Sequence, residues 1–274
     1  MSQPQAGGDT MSIPSRAAPE GIDPTAPNSA RIYDYLLGGK DHFRADRDAA
    51  VQLLEIAPET RTLAWFSRRF LTGAAELAAH AGVRQFLDIG AGIPTSPSVY
   101  ETVSAVNSDI RVAAVDFDPV VQRHTLAAGS AAVTAMVGDF RHPDDLIQRL
   151  HTEAGIDFGQ PVALLPVGVL HFVMDHEHPA ESIARFREVM APGSYLVFTH
   201  ACTDTRQEFI SRTARATDGT TAQCAYRSRS EVEKLFDDFE MLAPGVAPIQ
   251  DWIGDDLPPT TLVMLGGVCR IPPR

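Results

Sequence analysis

An α/β protein with a mostly parallel sheet covered on both faces is what the sequence predicts, on three observations. From Gln85 onward short apolar strands alternate with amphipathic helices, the pattern of parallel strands joined by helical crossovers. The first strand runs into Phe86-Leu87-Asp88-Ile89-Gly90-Ala91-Gly92, a glycine turn that lets backbone approach a ligand at a strand's carboxyl end. The chain closes on two strands with no helix between them, about 239–243 and 260–269, so one of them runs against the rest.

The elements follow in order. Residues 1–27 are rich in proline and glycine and poor in large apolar groups, which predicts a disordered tail. Asn28 is a good N-cap for a short helix over 29–37, closed by Gly38-Gly39. A second helix spans about 45–56 and a longer one 60–80, where Leu63, Phe66, Phe70, Leu71, Ala74 and Leu77 recur near helical period. Residues 28–80 thus form a helical cap and 81–274 the α/β domain. In that domain strands are expected at 85–89, 111–116, 133–138, 161–168 and 194–200. Helices are expected at about 97–107, 119–128, 143–151, 179–190, 204–215 and 229–237. Pro97, Pro119 and Pro179 stand near helix starts, where a missing N–H costs little.

Composition limits the function classes. Apolar content of 44% with 21% charged residues is that of an ordinary globular chain. A net charge of −12 opposes a broad electrostatic grip on nucleic acid or an anionic membrane. Cys202, Cys224 and Cys269 are widely separated, which supports neither a disulfide framework nor a zinc knuckle. No signal-peptide pattern opens the chain, and its longest apolar stretch, 162–173, contains Pro166 and His171. A cytoplasmic protein acting on a small molecule is expected, with no metal; oligomeric state is not legible.

The glycine turn carries the chemistry. Asp116 ends the second strand, where an acid holds the ribose hydroxyls of an adenosine ligand. NAD enzymes usually have an apolar residue where Asp88 stands; a carboxylate there suits a ligand bearing an ammonium group, S-adenosylmethionine. Asp88 also fits a purely structural role, capping the turn, and the glycines are equally at home in a bare turn. The run Arg31 to Asp41 is denser in Arg, Tyr, Asp, Gly and Lys than a short helix needs. Gly38-Gly39-Lys40 lacks the rest of a phosphate loop. The run reads as a lid over the cofactor, or as an N-terminal helix with a glycine C-cap. His171 stands just past the fourth strand as the leading polar residue of an acceptor pocket or as a satisfied core histidine. Asp175, His176, Glu177 and His178 read as a solvated acidic loop rather than a metal site. Trp252 and the loop 244–256 either cover the pocket or pack on helices.

These residues together resemble the bacterial S-adenosyl methyltransferase family, formerly a domain of unknown function. The resemblance is carried by Ala30-Arg31-Ile32-Tyr33-Asp34-Tyr35-Leu36-Leu37-Gly38-Gly39-Lys40-Asp41, by Gln85 to Thr95, by Val115-Asp116-Phe117-Asp118-Pro119, and by Leu170-His171-Phe172-Val173 and Ala191-Pro192-Gly193. It covers roughly residues 24–270. His42 and Ala91 stand where the family more often has Asn and Ser, and Pro94 where many methyltransferases have a third glycine. The resemblance implies the Rossmann-like class I methyltransferase fold, seven strands with the last antiparallel, and an S-adenosyl-L-methionine cofactor leaving S-adenosyl-L-homocysteine. It implies cofactor contacts from Asp88, Gly90, Ala91, Gly92, Asp116 and Phe117, with Asp139 and Phe140 at the adenine. The lid reading adds Arg31, Tyr33, Gly39 and Lys40. His171, Tyr33 and Asp34 are candidate catalytic groups by position. The competing readings are a cofactor-binding protein without methyl transfer, the same cofactor used for other chemistry, and an NAD(P)-dependent oxidoreductase.

Overall fold

The computed structural model describes residues 23–217, 222–254 and 257–272. Three helices come first: α1 (Ser29–Leu36), α2 (Arg44–Ile56) and α3 (Thr60–His80). Asn28 caps α1 through its side-chain oxygen, which accepts from the Ala30 and Arg31 amides at 2.8 and 3.3 Å. Gly38, at φ +85°, ends it. The expected tail, 1–27, lies mostly outside the described residues; of its end, Ala26 is held, its carbonyl accepting from Arg31 at 2.8 Å.

The sheet follows the expected alternation: β1 (Gln85–Ile89), α4 (Val99–Val106), β2 (Arg111–Asp116), α5 (Pro119–Ala128), β3 (Val133–Val137), α6 (Pro143–Thr152), β4 (Val162–Leu165), α7 (Pro179–Val189), β5 (Tyr195–Ala201), α8 (Gln207–Thr217) and α9 (Arg229–Lys234). Then come β6 (Glu240–Met241), β7 (Ala247–Pro248), α10 (Ile249–Ile253) and β8 (Met264–Arg270). The strand order is β3-β2-β1-β4-β5-β8-β6, and β7 also pairs with β8. The first five strands are parallel, and β8 runs antiparallel between β5 and β6.

Among the described residues the strand count is eight, not the expected seven. The outermost position is split: β6 pairs Glu240 with Arg270, and β7 pairs Ala247 with Gly266. Pro244, which cannot donate to a ladder, and Gly245, at φ +90°, separate the two pieces. The segment expected as a loop over 244–256 also contains α10.

Successive residues on a strand face opposite ways, so each strand feeds both layers. Phe86, Val112, Leu165 and Val197 pack against Phe70, Ala74 and Ala78 of α3 and Val103 of α4. Leu87, Val115, Leu164 and Phe198 pack against Leu146 of α6 and Ile183 and Phe186 of α7. Helix α3 is therefore a wall of the main core as well as part of the cap. Helices α1 and α2 have a small core of their own around Ile32, Leu36 and Ala50, which meets α3 at Ala64. Two glycines on β8 make room for aromatic rings: a Cβ at Gly266 would meet Phe70, and one at Gly267 would meet Phe198.

No helix among the described residues is long and apolar enough to cross a membrane.

Candidate active site

The turn after β1 is shaped by its glycines. Gly90 and Gly92 sit at φ +69° and +65°, a region that side-chain-bearing residues avoid. The Gly90 and Ala91 amides both donate to the Val115 carbonyl, at 2.8 and 3.0 Å, which pins the turn to the end of β2. The Gly92 amide donates to Asp116 at 3.0 Å, and the Asp118 amide to its other oxygen at 3.0 Å. Asp116 is thus oriented by backbone on both oxygens, each retaining a lone pair for a further donor.

Above the turn lies a cavity of about 460 Å³, walled by the carboxyl ends of the strands below and by α1 and α3 above. It brings together Tyr33, Asp34, Gly90, Ala91, Gly92, Asp116, Phe117, Asp139, Phe140 and His171 from the sequence-predicted residues. Asp88, Arg31, Gly39 and Lys40 are not in its wall.

Asp88 is buried, 8% exposed, and precedes the wall residue Ile89 by one position. Among the described residues no hydrogen bond or ion pair reaches its carboxylate. Burial pushes its pKa up to about 6, partly offset by the Arg68 charge and reinforced by Asp116. Burial likewise raises Asp116 to about 6, against the pull of its backbone hydrogen bonds. Phe117 follows, 42% exposed beside the cavity, an unusual position for a large aromatic residue. The Phe140 ring stacks on Phe186 at 5.4 Å and closes the wall from the core side.

The Asp139 carboxylate is forked by the Arg141 guanidinium at 2.6–3.0 Å. Burial opposes its ionisation, but the Arg141 bonds outweigh this and hold its pKa below the usual range. Arg141 also reaches Glu177 at 2.6 Å.

The cap residues divide. Tyr33 donates its hydroxyl to the Ala64 carbonyl at 2.8 Å, and burial raises its pKa against the opposing pull of Ser67 and Arg68. Asp34 accepts from the Asp41 amide and from His42 Nδ1, each at 2.9 Å, and a Cβ at Gly39 would overlap its carboxylate. Arg31 is buried and committed elsewhere: Nε to Asp46 at 2.8 Å, Nη1 to Asp118 at 3.3 Å, Nη2 to Ala26. Asp46 also accepts from the Asn28 and Phe43 amides. Lys40 is exposed.

His171 sits in a 3-10 turn, Leu170–Phe172, just past β4. It is buried in the cavity wall, and its Nδ1 has no hydrogen-bond partner among the described residues. Burial, then the neighbouring His200 and Arg227, push its pKa down to about 3, so the imidazole is neutral. His200 lies behind it, outside the cavity wall, with Nδ1 on the Ala201 carbonyl at 2.9 Å and Nε2 on Arg227 at 2.5 Å. The 175–178 segment is solvent-exposed at Asp175, His176 and His178, as expected of a solvated acidic loop, while its carboxylates also pair with distant cations: Asp175 with Arg227 at 2.6 Å and Glu177 with Arg141. Trp252 packs on Phe70 and donates to the Gly266 carbonyl, away from the cavity.

Arg68 is a wall residue the sequence reading missed. It shares its face of α3 with Leu63, Ala64, Ser67 and Leu71. A cation on an otherwise apolar helical face was the available signal.

A mostly parallel sheet of this order, reversed at its last strand, with a glycine turn and a buried acid under one cavity, is the Rossmann-like arrangement of class I methyltransferases. The chain belongs to the S-adenosyl methyltransferase family, whose match spans residues 15–272. A methyltransferase-class protein of Thermobifida fusca YX is 33% identical with a TM-score of 0.85, covering 93% of this chain and 98% of that one. A DUF574 family protein of Streptomyces avermitilis MA-4680 is 30% identical with a TM-score of 0.81, covering 90% and 98%. No curated protein matches the sequence.

Proposed function

We propose that the protein transfers the methyl group of S-adenosylmethionine to a small-molecule acceptor bound beside His171, with cofactor recognition divided between Asp88 and Asp116. One observation carries this reading: a buried carboxylate without a partner, Asp88, stands at the glycine turn, where an ammonium group would neutralise it. Asp116, already aimed by two amides, takes the ribose hydroxyls, and the exposed ring of Phe117 flanks the adenine. Helix α1 and the start of α3 line the roof of the cavity, and closing it over bound cofactor would limit water.

The sulfonium supplies an activated methyl group when bound. The protein's task is then alignment, which supplies about 7–11 kcal/mol in well-oriented cases. Of the three polar groups considered for catalysis, Tyr33 and Asp34 are tied to other cap groups. His171 is a weak base at neutral pH, with a pKa near 3. It serves instead as a neutral hydrogen-bonding group that orients the acceptor, which suits an acceptor needing no strong base. The surrounding wall of Val167, Phe172, Val173 and Met264 suits an apolar body.

Titration calorimetry with S-adenosylhomocysteine and with NADH tests the assignment. Binding of the nucleoside product alone is the expected result; tight NADH binding without response to the product overturns it.

A further inference from the structure

Arg68 is half-buried in the cavity wall, Asp88 is buried one position before the wall residue Ile89, and their opposite charges attract without forming an ion pair. The Arg68 guanidinium is held on one side only, Nη2 donating to the Pro97 carbonyl at 3.0 Å and, more distantly, to that of Thr95. Neither Nε nor Nη1 meets an acceptor among the described residues. A guanidinium has five donors in a fixed fork, and those of half-buried Arg68 that meet no acceptor are open to a ligand in the cavity. Asp88 has the complementary deficit: it is buried, and no donor among the described residues reaches it. Two separated and unsatisfied opposite charges fit a zwitterion laid between them, ammonium toward the carboxylate and carboxylate toward the fork.

We infer that Arg68 binds the α-carboxylate of the cofactor's amino-acid end and makes that carboxylate a requirement for tight binding. The inference rests on the cofactor reading above and adds the half of the zwitterion that Asp88 leaves unrecognised. It also ties cofactor to roof. Arg68 belongs to α3, and the carbonyls that orient it belong to the segment after the glycine turn. A bound carboxylate would therefore join the two walls of the cavity.

The test compares S-adenosylhomocysteine with its decarboxylated analogue, which keeps the ammonium group, by calorimetry on the full chain. The wild type should bind the carboxylated compound at least about tenfold more tightly, the range expected for charge-assisted hydrogen bonds. Arg68→Gln should lose about tenfold or more for S-adenosylhomocysteine and less than about twofold for the analogue. Arg68→Lys should recover part of that preference. Equal losses for both ligands would make Arg68 a structural staple of the 95–97 segment and overturn the inference. So would a wild type that binds the two compounds equally, a comparison that holds even if neither variant folds. A wild type that binds neither compound would overturn the cofactor assignment itself, and the clamp with it.

Discussion

Asp88 and Asp116 are the residues in which the physics of the site is most concentrated. Both are raised from an ordinary 3.8 to about 6, chiefly by burial. The folded chain therefore holds these protons more tightly than the unfolded chain does. The stability this contributes is fully present below about pH 3.8 and is lost as pH rises through about 6. A ligand ammonium acts in the other direction, favouring the ionised form of Asp88. Affinity for S-adenosylhomocysteine should accordingly climb between pH 5 and 7 and then level, with protons released on binding near pH 6; calorimetry in buffers of different ionisation enthalpy measures both. Asp88→Asn should flatten that climb, and a wild-type affinity indifferent to pH would count against the ammonium contact. Asp116→Ala should cost at least ~1.5 kcal/mol of cofactor affinity in a folded variant; an unchanged dissociation constant rejects the ribose role.

At the scale of elements, α1 and the turn after it behave as one piece. Asp34 gathers Asp41 and His42 around a backbone that passes too close for any side chain at Gly39. Gly39→Ala should lower stability by about 1–3 kcal/mol through overpacking, read as a lower denaturation midpoint, and weaken cofactor binding with it. A variant as stable as the wild type would mean that the turn yields. Such local devices were readable in the chain. Asn28 and Asp118 do cap helices, and the apolar period of α3 is the one the core uses as far as Ala74, while Leu77 is 40% exposed. What escaped was non-local. The Arg141 bond to Glu177 and the Arg227 bond to Asp175 join residues far apart in sequence, so the exposed acidic run gave no sign of the cations it pairs with. Arg31, expected at the cofactor, is instead consumed by Asp46 and Asp118. Arg68 was hidden among the hydrophobic residues of its own helix.

For the whole molecule, Arg31 ties the N-terminal helices to the sheet: it reaches from α1 to Asp46 on α2 and to Asp118 at the start of α5. Removing residues 1–44 should therefore lower cofactor affinity, whereas removing 1–23 should leave it unchanged; equal affinities in the two truncations would dismiss the lid. The far edge of the sheet has a different consequence. Two-residue strands broken by Pro244 leave little continuous backbone on which a foreign strand could pair. The interruption that raises the strand count thus also guards against edge-to-edge aggregation, so the flank of the sheet remote from β3 resists sticking to its own kind even when the protein is concentrated.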